Sequence, residues 1–235
     1  MAFRSKLKIA NVLICIVLPG LAGATSITIQ GTADLWLAGQ PNGATLTGNF
    51  GTDSNPDNAP VLVGVVGGHI FTFTASGLTS VDANCFAGPD GGCYTDESSF
   101  GTGPVNGIGS YKGPSNALFG VFLNSSVPSG TIGPASLDFT DPTVISAASF
   151  APLLNQIFFI GDGLTGTGSG AVQLFTSPAG ATRLFLASAD SVGASTGNLG
   201  SLAVTVSDVN SPEPVSVVLA ATALVLLSSR RKRQA

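Results

Sequence analysis

The sequence predicts an all-β fold, a single jelly-roll-like β-sandwich, on three observations. The 31 glycines and 14 prolines among 235 residues disfavour long helices, because both residue types destabilise helix interiors. Short apolar or β-branched runs recur between Gly, Pro, Asn and Asp punctuation, the spacing of strands and turns. His69-Ile70-Phe71-Thr72-Phe73-Thr74 alternates with period two, as a half-buried strand requires. About nine such strands in one body suit a sandwich or jelly roll.

The chain divides into three parts: 1–24, 25–208 and 209–235. In the first, Arg4, Lys6 and Lys8 precede the apolar run 9–18, Pro19-Gly20 breaks it, and Ala22-Gly23-Ala24 follows. This is the order of a secretory signal peptide, removed by signal peptidase after Ala24. The alternative, a membrane anchor, needs about 20 apolar residues, more than this run supplies. In the body, candidate strands are 26–30, 34–38, 61–66, 69–75, 117–124, 156–160, 171–176, 182–187 and 202–206. Residues 145–154 have room for one helical turn, limited by Pro152. In the last part, Pro212-Glu213-Pro214 is followed by the mostly apolar run 215–227 and then by Arg230, Arg231, Lys232 and Arg233. Thirteen helical residues span about 20 Å against about 30 Å of hydrocarbon. The segment is therefore a short hydrophobic helix suited to a membrane passage in transit. The basic cluster stays cytoplasmic.

This end resembles the PEP-CTERM sorting signal, which is also labelled an ice-binding protein C-terminal domain without any implication about ice. The resemblance implies recognition of Pro212, Glu213 and Pro214 by exosortase, with the hydrophobic stretch and Arg230–Arg233 in support. It further implies an inner-membrane tether in transit, then the cell surface or the exopolysaccharide (biofilm) matrix of a Gram-negative bacterium. Whether the mature protein stays anchored or is released is open at this level.

Between residues 25 and 211 only Lys112 and Arg183 are basic, against twelve acidic residues, a formal charge of −10. Such a field repels a phosphate backbone, which argues against nucleic acid, and favours divalent cations such as calcium. Arg183 is expected to pair with a carboxylate. Cys85 and Cys93 are the cysteines left after export, and in an oxidising compartment they most simply form a disulfide. The alternative is two free thiols.

Several motif matches carry no chemistry. Gly161-Asp162-Gly163-Leu164-Thr165-Gly166 fits G-x-G-x-x-G, but Gly and Ser follow where a dinucleotide site needs a helix. It reads as a hairpin loop. Gly193-Ala194-Ser195-Thr196-Gly197 fits G-x-S-x-G, but no helix follows and His69 is the chain's one histidine. Asp53-Ser54-Asn55-Pro56-Asp57-Asn58 starts like a calcium loop, but lacks the glycine and glutamate of an EF-hand and reads as an Asx/Pro turn. The body is therefore expected to be non-enzymatic. A glycan-active enzyme working through paired Asp residues is the remaining catalytic alternative.

The C-terminal third carries a second resemblance. Arg183-Leu184-Phe185-Leu186 leads to Asp190, a Gly/Ser/Thr loop, Asn198, and then Gly200-Ser201-Leu202-Ala203-Val204-Thr205-Val206. Ala75-Ser76-Gly77, Gly88-Pro89-Asp90-Gly91 and Asn116-Ala117-Leu118 precede it in order. The pattern resembles the PA-I-type galactophilic lectins, with their galactose-binding-like β-sandwich. It implies a calcium site at Asp190, Asn198 and the carbonyl of Val81. Ala194 and Gly197 stand where that family has further ligands, and no His follows Gly91 at the sugar-contacting position. Independently of the family, Asp90, Tyr94, Asp96 and Glu97 beside the cysteine loop form a candidate ligand patch. Trp36 reads as core; Tyr111 is a further candidate for stacking on a sugar. These readings converge on lectin-like association with extracellular polysaccharide. A structural matrix protein with no small ligand is the alternative.

Overall fold

The structure, a computed structural model, describes residues 24–92, 94 and 104–211. The segment 1–23, Cys93, Asp96, Glu97, the Pro212-Glu213-Pro214 motif, the run 215–227 and the Arg230–Arg233 cluster lie outside the described residues. Among the described residues no helix is long and apolar enough to cross a membrane.

In chain order the strands are β1 (Thr25–Gln30), β2 (Thr45–Thr47), β3 (Thr52–Ser54), β4 (Val61–Gly64), β5 (Ile70–Asp82), β6 (Cys85–Ala87), β7 (Tyr111–Lys112), β8 (Leu118–Leu123) and β9 (Leu137–Asp138). The helical turn α1 (Pro142–Ile145) follows, then β10 (Ser149–Phe150), β11 (Ile157–Phe159), β12 (Leu164–Gly166), β13 (Ser169–Val172), β14 (Leu174–Thr176), β15 (Arg183–Ser188) and β16 (Leu199–Asp208). Two sheets carry the fold. The larger runs β1-β16-β5-β14-β10, with β6 added along one end of β5; the smaller runs β11-β8-β15-β4. Within these two sheets every pairing is antiparallel except β10 with β14. This is the all-β sandwich that the sequence predicts.

Alternation in the larger sheet sends Ile29, Phe71, Phe73, Leu202, Val204 and Val206 inward. They meet aromatic rings of the smaller sheet: Phe71 lies 6.2 Å from Phe122, which stacks on Phe158 at 5.0 Å. Phe175 bridges back, 5.7 Å from Phe158 and 5.0 Å from Phe73. β8 does not alternate, because all six of its residues are buried. The reason is a third layer of short segments on its other face. There Phe119 packs on Tyr111 (4.4 Å), Phe159 (5.5 Å) and Phe139 (5.6 Å), and Trp36 stacks on Tyr111 at 5.7 Å. Trp36 and Tyr111 are thus both core residues, which removes Tyr111 as a sugar platform.

Four expectations need correction. The predicted strand 34–38 is a 3₁₀ turn, Leu35–Leu37, started by Asp34, whose Oδ1 accepts from Trp36 N at 2.8 Å. All three of its residues are buried, so the apolar run reflects burial rather than extension. The helical turn falls at Pro142–Ile145, ahead of 145–154, because Asp141 caps it and Pro142 opens it. Among the described residues, Arg183 pairs with carbonyls rather than with a carboxylate. Its Nε donates to Asn124 O (2.8 Å), a terminal nitrogen donates to Ser126 O (2.6 Å), and it lies 5.5 Å from the Phe185 ring centroid. The predicted strand 171–176 is split between β13 and β14 at Gln173, whose buried side chain turns in to donate to Ile145 O and Ala147 O.

Candidate functional site

A buried carboxyl pair positions the turn between β15 and β16. Asp53, in β3, is wholly buried. Its carboxylate accepts from Ser195 N (2.8 Å), Thr196 N (2.8 Å) and Thr196 Oγ1 (2.7 Å). Asp34 accepts from Gly193 N at 3.1 Å through the oxygen that Trp36 N leaves free. The Asp53 side chain is close enough to act on the Asp34 carboxyl. Burial first, and the neighbouring Asp53 side chain after it, push the Asp34 carboxyl well above its ordinary value. The expected turn around Pro56 is present, closed by Asn58 rather than by an Asx bond: Asn58 N donates to Ser54 O (2.7 Å), and Asn58 Oδ1 accepts from Ser54 N (3.0 Å). The G-x-S-x-G run becomes this same turn, with Ser195 buried rather than presented.

The turn forms one wall of a cavity of about 310 Å³ lined by Phe50, Val81, Asp82, Tyr94, Asp190, Ser191 and Ala194. Asp82 ends β5, and its Oδ1 accepts from Asn84 N (2.7 Å) and Cys85 N (3.1 Å), while Oδ2 accepts from Tyr94 Oη (2.6 Å). These bonds, the Tyr94 one foremost, hold its carboxyl below the usual range. Tyr94 is fixed at its backbone by Ser115: Tyr94 N donates to Ser115 Oγ (3.1 Å) and Ser115 N donates to Tyr94 O (3.2 Å). Its ring stays 42% exposed, and Phe50 is 81% exposed. Asp190 accepts from Ser191 N at 2.6 Å. Burial raises its carboxyl pKa, against the Ser191 and Asn198 hydrogen bonds that lower it. The pocket therefore offers two aromatic surfaces beside two carboxylates of unlike environment.

Of the predicted site residues, Val81, Asp190 and Tyr94 meet in this pocket. Asn198 is buried behind Asp190. Its Nδ2 donates to Gly31 O (3.1 Å) and its Oδ1 has no partner. An orphaned buried oxygen next to a carboxylate is a feature of a cation site, but the set is short. Asp190, Asn198 and the Val81 carbonyl supply three oxygens, calcium takes six to eight, and Ala194 adds only a methyl. No group of three or more His, Cys, Asp or Glu suited to a metal occurs among the described residues. The protein donors alone do not complete a calcium shell. Asp90 faces elsewhere: its Oδ1 accepts from Asp162 N at 2.9 Å, and burial raises its pKa. Cys85 is disulfide-bonded, whereas its predicted partner Cys93 lies outside the described residues.

Sequence reasoning missed Phe50, Asp82, Asp34 and Asp53. Phe50 had a signal, since an aromatic residue between Asn49 and Gly51 in a polar turn has little core to enter. Asp82 had a weaker one, two residues before Asn84 in an Asx turn. Asp53 stood out only as the start of a calcium-like loop, and nothing local marks the role of either Asp34 or Asp53, whose partners at 193–196 are distant in sequence.

No protein-family model matches the chain, and no curated protein matches it by sequence. Among solved structures, one described as "EclA N-terminal domain; PllA-like lectin" is similar at 16% identity and a TM-score of 0.36, covering 78% of this chain and 94% of that one.

Proposed function

We propose that this chain is an exported, non-enzymatic β-sandwich that associates with carbohydrate through the Phe50–Tyr94–Asp82–Asp190 pocket. The observation that carries the reading is the pocket's composition. Exposed Phe50 and Tyr94 rings offer apolar faces to the C–H face of a sugar ring. The Asp82 and Asp190 oxygens alongside accept hydrogen bonds from sugar hydroxyls, and few convergent polar groups on an apolar wall set orientation. A sorting end of this kind would bring the protein to where polysaccharide is found. Pro212, Glu213 and Pro214, with the hydrophobic stretch and basic cluster, would be read by exosortase, delivering it to the cell surface or exopolysaccharide matrix. The sugar contact needs no metal in this account.

The test is binding of the purified protein to a glycan and exopolysaccharide array, with calcium and with chelator. Saturable binding lost in Phe50→Ala and Asp190→Ala supports the pocket. Loss on chelation adds calcium at Asp190, Asn198 and the Val81 carbonyl, with ligand oxygens completing the shell. No binding in either condition leaves a structural matrix protein. The incomplete calcium loop, with Ala194 and Gly197 at ligand positions, favours that second reading.

A further inference from the structure

Among the described residues, β1 pairs only with β16 and β4 only with β15, so each ends its sheet. β1 packs against β15 and β4, which sets the two end strands along the same side of the sandwich. An end strand presents a row of backbone N–H and C=O groups, and proteins usually guard it with charge, proline, a bulge or brevity. β1 has none of these guards. Its six residues keep unbroken register with β16 and include no charged residue or proline. The seam between the two end strands is apolar. Ile27, Val61, Val63 and Val65 pack on the core while remaining partly exposed, and Leu62 is 54% exposed. Residues 59–68 carry no charge either. Elsewhere the −10 of the body makes two copies repel, so this uncharged side is where a second copy can approach.

We propose that the chain self-associates through this side, β1 of one copy pairing antiparallel with β1 of a second copy about a two-fold axis, so that the larger sheet continues across both. Side chains alternate with period two, so only registers that set core-facing residues opposite core-facing residues keep both cores covered. Ala33 N donates to Gln30 O at 3.1 Å, which commits Gln30 to a turn and leaves 25–29 for pairing. The register is therefore centred on Ile27, with Ser26 of each copy opposite Thr28 of the other.

Ser26 and Thr28 are exposed, so substitutions there leave the fold intact, which a thermal melt checks. Sedimentation equilibrium of the full chain in mild detergent is the measurement. Wild type is expected as a reversible dimer. Ser26→Lys with Thr28→Lys opposes like charges twice and weakens it about tenfold. Ser26→Lys with Thr28→Glu faces each lysine with a glutamate and restores it. A monomer up to about 100 µM, a dimer indifferent to the double lysine variant, or equal loss in both variants would overturn the proposal.

Discussion

Asp53 takes three hydrogen bonds from the turn that walls the pocket, and Asp34 takes a fourth from Gly193. Replacing Asp53 with Ala leaves those donors without their acceptor in a dry site, at a cost of about 3 kcal/mol, measurable by chemical denaturation. The same pair gives the protein a pH signature. Asp34, Asp190 and Asp90 hold their protons to higher pH in the fold than their ordinary 3.8. The stability each contributes is full below that value and is lost as pH rises through its folded value. Asp82, Asp138 and Asp141 are shifted down by local hydrogen bonds; theirs is present above the ordinary value and lost as pH falls through the folded one. The second group is solvent-screened, so the first dominates. The melting temperature should rise as pH is lowered from neutral towards the ordinary carboxylate value, and Asp34→Asn should flatten that rise. None of this was legible in the sequence. A carboxylate whose partners lie in another strand pair reads like any surface Asp in a turn, and Asp190 stood out only because its loop resembled a known one.

At the scale of elements, the strands that alternate were the ones most readily found. β5 announces itself through Ile70 to Thr74, and its extension to Asp82 was missed because Ser76, Gly77 and Ser80 dilute the pattern. β8 was found through its apolar run alone, and its two-sided burial needed the Trp36 and Tyr111 layer, which sequence does not place. The 3₁₀ turn at Leu35–Leu37 was misread for the same reason, since an apolar pentamer says buried before it says extended. The G-x-G-x-x-G run, expected as a hairpin loop, is instead a turn at 161–163 followed by strand β12, with the hairpin loop at Thr167-Gly168 just after it; its glycines are structural. Gly163 has φ +89°, and a Cβ there would collide with the Phe73 carbonyl. Gly163→Ala should therefore cost at least about 1 kcal/mol in a denaturant titration, with β12 and β13 first to lose amide protection in hydrogen exchange.

Across the whole molecule, one charge dominates. Two basic residues against twelve acidic ones in the body leave few attractive pairs. Among the described residues, Lys112 and Asp138 form an ion pair at 3.6 Å, and His69 Nδ1 hydrogen-bonds Asp208 Oδ2 at 2.7 Å. Self-repulsion then opposes the compact state, and salt relieves it. The melting temperature should rise between about 20 and about 300 mM salt at neutral pH, the reverse of a fold held by surface ion pairs. The pairing of β1 with β16 has a mechanical consequence. Thr25 sits beside Val206, so the chain enters and leaves the body at the same pole through two adjacent antiparallel strands. A pull on both flanking segments would load their hydrogen bonds one at a time, as a zipper opens, rather than all together in shear. The body would then resist heat through its aromatic layers yet yield to a small force applied across its own two ends.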